Sequence, residues 1–193
     1  MQNLTFENIY RDAKKLKLTE NDSYIGSYTA FLNYFEELPK IEHKHLVISS
    51  HFVYGWMPTI IQLDTKNSGE VLKYLNAVKS NHRLKEDEIN KIKECINNSM
   101  VGTSKLLHFI NPHNYAIWDS RIFRYVTGKK SQYGIANPKN YLNYLEKMES
   151  ISNDKNYFKI HDIVQKHFKY SITPMRAIEI VMFETDRERQ RKN

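Results

Sequence analysis

Apolar side chains recur at three- and four-residue steps along nearly the whole chain, and few glycines or prolines interrupt them. Phe6, Ile9, Tyr10 and Ala13 share one face of a helix over roughly residues 4–17. Tyr24, Tyr28, Phe31, Leu32 and Phe35 mark a second helix, ended by Pro39. Leu46 to Met57 is the most apolar stretch and reads as a third, closed by Pro58. Ser68 can cap a fourth through Leu72, Leu75 and Val78, and Glu86, Asp87 and Glu88 suit the positive start of a fifth carrying Ile89, Ile92 and Ile96. With 6 Gly and 5 Pro in 193 residues, the chain lacks the turn residues that a β-sandwich needs.

Beyond residue 96 the pattern tightens. Asn97-Asn98-Ser99 breaks the fifth helix, and Met100-Val101-Gly102-Thr103-Ser104 reads as a short turn. Helix resumes at Lys105 and stops at Asn111-Pro112; another runs from Ser120 to Val126 and ends at Gly128. Three more are expected at roughly 138–151, 155–168 and 173–189, with Pro138 and Pro174 just inside two of the starts. The expectation is an all-α fold of about ten helices, one compact domain over 1–193, with a charged tail from 186 to 193 that frays.

Charge narrows the function classes. Lys and Arg number 29 against 22 Asp and Glu, and the excess of +7 favours a polyanionic partner, nucleic acid or an acidic membrane surface. A basic protein with no such partner is the plainer alternative. The single cysteine, Cys95, excludes an internal disulfide, a zinc site built from several thiolates and a four-cysteine iron–sulfur cluster. His43, His45 and His51 lack metal-ligand spacing, so no metal and no cofactor is expected. The longest uncharged stretch, His45 to Leu63, is broken by Ser49, Ser50, His51, Gly55, Pro58 and Gln62 and is too polar to span a bilayer. Residues 1–12 hold no apolar signal core. A cytosolic chain is expected, with oligomeric state open.

The chemistry concentrates between residues 101 and 124. Backbone N–H groups at the start of the helix after the turn, around Val101, Gly102, Thr103 and Ser104, can bind a phosphate without reading sequence. Lys105 falls in the first turn of that helix, where the dipole favours its neutral, nucleophilic form. Asp119 enters the next helix as a good N-cap, and its carboxylate can face Lys105 across a cleft. Arg121, Arg124, Lys129 and Lys130 form a basic run suited to a nucleic-acid backbone.

Val101-Gly102-Thr103 with Lys105, followed by Asp119-Ser120-Arg121-Ile122-Phe123-Arg124, resembles the helix–hairpin–helix DNA glycosylases, which include endonuclease III and the 8-oxoguanine glycosylases. The resemblance covers roughly residues 85–126. It implies two helical subdomains flanking a cleft, double-stranded DNA as partner, and a damaged or modified base extruded from the stack. It also implies that Asp119 stabilises an oxocarbenium-like transition state and that Lys105 forms a Schiff base leading to strand cleavage. The chain carries one hairpin glycine where the family usually has two. The extra residue before Lys105 leaves Ser104 as a second occupant of the nucleophile's place, in which case water attacks and only the base is released. Tyr54 and Trp56 are candidate walls of a base pocket, as are Met182 and Phe183 by analogy with the family's pocket. A non-catalytic module binding DNA or protein, and a helical interaction protein with no nucleic-acid role, are the alternatives.

Overall fold

The computed structural model describes residues 1, 3–18, 23–55, 62–64, 66 and 68–192, and within them the side chains of all but 23–26. Among the described residues the chain forms ten helices: α1 (Phe6–Ala13), α2 (Ser23–Glu37), α3 (His43–Gly55), α4 (Ser68–Lys79), α5 (Glu86–Cys95), α6 (Met100–Ile110), α7 (Ser120–Thr127), α8 (Pro138–Ser152), α9 (Phe158–Gln165) and α10 (Pro174–Arg191). The fold is all-α. An isolated antiparallel bridge between Leu63 and Ile96 is the one β-type pairing among these residues.

Local chemistry sets the helix ends. Thr5, Ser99, Asp119, Asn137 and Thr173 each accept a backbone N–H from the first turn that follows, satisfying donors the helix cannot. Gly128 closes α7 in the left-handed conformation, with φ of +70°.

The helices sort into two groups by packing. α6 contacts α2, α3, α4 and α5, whereas α10 contacts α1, α7, α8 and α9. The extended segment 115–119 joins α6 to α7 through the core. Trp118, Tyr115, Tyr141 and Tyr144 are all fully buried there. Their polar tips find backbone partners: the Tyr141 hydroxyl donates to Ala116 O at 3.0 Å and that of Tyr144 to Ile117 O at 3.1 Å.

Two sequence expectations are corrected. Residues 100–104 are not a turn but the first half of α6, because Ser99 supplies the cap and the turn lies earlier. The tail does not leave the fold at residue 186. Asp186 is buried, and α10 continues to Arg191, with Arg189 stacking on the Tyr125 ring and lying 3.6 Å from Asp12.

Candidate active site

The hairpin between α5 and α6 is built on asparagine. Asn97 and Asn98 take φ of +58° and +49°, a region their short polar side chains tolerate better than most residues. Asn97 locks the turn to the preceding strand-like segment, its N–H donating to Gln62 O at 3.0 Å and its Oδ1 accepting Gln62 N–H at 2.9 Å. Ser99 Oγ then accepts Gly102 N–H at 3.1 Å. The N–H groups of Met100 and Val101 lie in the first turn, where no intrahelical acceptor exists. Met100 is itself buried, so of these two N–H groups only that of Val101 lies on a residue that reaches the surface.

Gly102, Thr103 and Ser104 are buried, which removes them from any phosphate contact. A Cβ on Gly102 would meet the Tyr54 hydroxyl at 2.8 Å, so this glycine serves the close approach of α3 to α6. Ser104 is fully engaged: its Oγ accepts Trp118 N–H at 2.9 Å and lies 2.9 Å from Val101 O and 3.2 Å from Trp118 O. A hydroxyl so occupied and inaccessible is poorly placed to act as a nucleophile.

Lys105 is only 8% exposed and makes no ion pair within 4 Å among the described residues. Burial pushes its ammonium pKa below the usual lysine range; the Arg176 charge adds to this, and the Asp119 and Glu179 carboxylates oppose it. The two residues singled out from the sequence thus feel each other's field without forming a contact pair. Asp119 is half-buried, and its Oδ1 accepts the N–H groups of Arg121 and Ile122, both at 2.9 Å. Its second oxygen takes no partner among the described residues.

The backbone leading to Asp119 is held by side chains instead of a sheet. Trp118 is tied through both its N–H and its carbonyl to Ser104 on α6. Tyr141 and Tyr144 on α8 hold the carbonyls of Ala116 and Ile117. Glu179 on α10 accepts Ile117 N–H at 3.2 Å. Three helices therefore fix the entry of α7, and with it the carboxylate.

Sequence reasoning missed Glu179 and Arg176. Glu179 is 2% exposed, and burial pushes its carboxyl up to about 7, with the Asp119 charge reinforcing the shift and the Arg176 charge and Ile117 N–H opposing it. Arg176 hydrogen-bonds Glu179 Oε1 and stacks over Tyr28, its guanidinium carbon 4.4 Å from the ring centroid. Tyr28 in turn meets His108 Nε2 at 2.8 Å, while His108 Nδ1 lies 2.7 Å from Tyr115 O. A carbonyl only accepts, so Nδ1 carries the proton and Nε2 accepts from the tyrosine. Burial holds His108 neutral, down to about 3. The available signal was a pair of opposite charges three residues apart in the otherwise apolar first half of a helix, Ala177-Ile178 and Ile180-Val181 surrounding Glu179.

The remaining candidates divide. Arg124 is bidentate to Asp186 at 3.2 and 2.7 Å, which neutralises it and withdraws it from phosphate binding. Arg121 stays half-buried over the Phe183 ring at 5.1 Å, with Asp186 at 4.0 Å. Lys129 and Lys130 are exposed. Tyr54 and Met182 are core residues, Tyr54 wedged against Gly102 and Met182 wholly enclosed, so neither offers a face to a base. Phe183 is half-buried beside Arg121, and Trp56 lies outside the described residues. Among the described residues no cluster of His, Cys, Asp and Glu suits a metal ion, and no helix is long and apolar enough to cross a membrane. No protein-family model, curated protein or solved structure matches this chain.

Proposed function

We propose that the chain is a DNA glycosylase of the helix–hairpin–helix type, which removes a damaged or modified base. The carrying observation is a desolvated lysine on the helix that follows the 96–99 hairpin, within the field of a half-buried carboxylate that caps the next helix. In this reading the α6 and α10 helix groups form the two walls of a cleft that receives the extruded base.

Breaking an N-glycosidic bond builds positive charge on the sugar. A carboxylate about 4 Å from that charge is worth about 4 kcal/mol at an effective dielectric near 20, which corresponds to roughly a thousandfold in rate. Asp119 suits the task because its cap fixes one oxygen and leaves the other unpaired. Lowering of its pKa brings the Lys105 amine closer to the neutral form that attacks C1′. The base departs as the new C–N bond forms; the amine then gives up its proton as the C1′–O4′ bond breaks and O4′ is protonated, and the resulting Schiff base opens the way to strand elimination. A bare DNA-binding module needs the hairpin but has no use for a buried amine, whose desolvation costs stability.

The test uses the purified chain and duplexes bearing a range of base lesions. Borohydride should trap a covalent complex with at least one of them, and Lys105→Met should abolish it. Base release that persists unchanged in Asp119→Asn would remove Asp119 from the mechanism, and absence of trapping on every lesion would remove the Schiff base.

A further inference from the structure

Residues 120–145 contain Arg121, Arg124, Lys129, Lys130 and Lys139 and no Asp or Glu. Asp186 neutralises Arg124 from outside the segment, whereas Lys129, Lys130 and Lys139 are exposed around the connection between α7 and α8. In the middle of that connection stands Tyr133, 94% exposed. A tyrosine ring left almost wholly in water forgoes the burial that an aromatic ordinarily gains.

The backbone beneath this ring is built. Trp118 Nε1–H donates to Ile135 O at 3.0 Å, and Asn140 Nδ2 donates to Gly134 O at 2.9 Å. Ile135 N–H closes a turn onto Gln132 O at 3.0 Å, and Tyr133 N–H meets Ser131 Oγ at 3.2 Å. Gly134 takes φ of +92°, which a side chain rarely adopts, and this bend turns the chain back directly after the tyrosine. The anchor is Trp118, the residue before Asp119, so the loop is tied to the same backbone as the candidate carboxylate.

We propose that the loop between α7 and α8 is a clamp for an unpaired nucleic-acid strand, with Tyr133 stacking on a base while Lys129, Lys130 and Lys139 hold the flanking phosphates. The identity of the strand as DNA rests on the function proposed above; the stacking itself does not. Lysines supply the charge complementarity, and a base face is the planar apolar surface that a lone exposed ring between cations can cover.

The test measures binding of the full chain to a short oligothymidylate and to an oligomer of the same length made of tetrahydrofuran abasic units, with thermal melting to confirm folding. Tyr133→Ala should weaken oligothymidylate binding roughly 5- to 160-fold, the loss of one stacked base, and leave the abasic oligomer unaffected. Tyr133→Phe should bind like wild type. Replacing Lys129 and Lys130 together by alanine should lower the slope of log affinity against log salt by roughly 1.4 on single strands. Equal affinity of wild type and Tyr133→Ala for oligothymidylate overturns the proposal. So does Tyr133-dependent binding to anionic phosphatidylserine vesicles without oligonucleotide binding. Base release is scored separately: a clamp without base release sinks the glycosylase reading alone, and base release without a Tyr133 effect on binding sinks the clamp alone.

Discussion

Replacing Lys105 by methionine should make the protein more stable at neutral pH. The lysine is 8% exposed and has no ion-pair partner within 4 Å among the described residues. Asp119 and Glu179 return part of the lost hydration, but burial outweighs them and the ammonium pKa stays below its ordinary value. Methionine has a similar length and helix propensity and no charge to desolvate. Arg176 still pairs with Glu179, so the change strands no carboxylate. Exchanging buried ionic groups for apolar ones of similar volume gains about 1–4 kcal/mol in the favourable cases, a rise of several degrees in Tm for a chain of this size. The sign can be followed with pH. Between the lowered folded pKa and the unfolded value near 10.5 the unfolded chain binds more protons, so wild-type stability rises with pH there. The advantage of Lys105→Met should therefore be larger at pH 7 than at pH 11 (urea denaturation at the two pH values measures it directly). A variant less stable than wild type at pH 7 by more than about 1 kcal/mol would refute the reasoning, because it would make the ammonium a structural partner of the carboxylates. So would an advantage that does not shrink as the pH climbs. A destabilising buried amine that persists in a fold points to a task for the amine.

Asp119 separates cap from chemistry: Asp119→Ala should lose about 1 kcal/mol of stability with the cap, whereas Asp119→Asn should melt near wild type and still release no base. Ser104→Ala should destabilise by about 1–3 kcal/mol by leaving the buried Trp118 N–H without its acceptor. Because the proposed mechanism assigns its hydroxyl no part in the attack, borohydride trapping at a permissive temperature should survive. Glu179 gives a pH signature. Its carboxyl is raised from 4.5 to about 7 in the fold, so the native state binds the extra proton and wild-type stability should fall as pH rises through that window, by at most roughly 3 kcal/mol. His108, held down to about 3, contributes the opposite slope below its ordinary 6.5, in variant and wild type alike. The difference between wild type and Glu179→Gln isolates the glutamate, and a difference independent of pH would show that Glu179 is ionised throughout.

Most helices were legible because their signals are local. Pro39 follows α2 by two residues, Glu86-Asp87-Glu88 begins α5, Gly128 ends α7, and Pro138 and Pro174 open α8 and α10. The hairpin was misplaced for an instructive reason. Glycine is the usual occupant of strained turns, so Gly102 reads as the turn residue, but two asparagines bear the left-handed backbone. The glycine answers a contact with Tyr54, 48 positions away, that no local pattern announces. Tyr54 and Met182 failed as pocket residues for the same reason: an aromatic-rich or apolar segment does not say which of its faces the rest of the chain will cover.

Arg176 and Glu179 are harder still. Three apart on a helix, they read as a solvated pair, and their burial depends on α2 bringing Tyr28 over the guanidinium and on the 116–119 segment presenting an N–H to the carboxylate. Asp119 shows how far local logic reaches. From sequence its capping and catalytic roles compete for one side chain. In the proposed mechanism they divide between its two oxygens: Oδ1 accepts two helix N–H groups, and those bonds hold the other oxygen still. A carboxylate that stabilises a transient cation must not swing toward it or away from it during the reaction. The N-cap supplies that rigidity at the start of α7, so the structural role is the means by which the carboxylate is preorganised for the proposed chemistry.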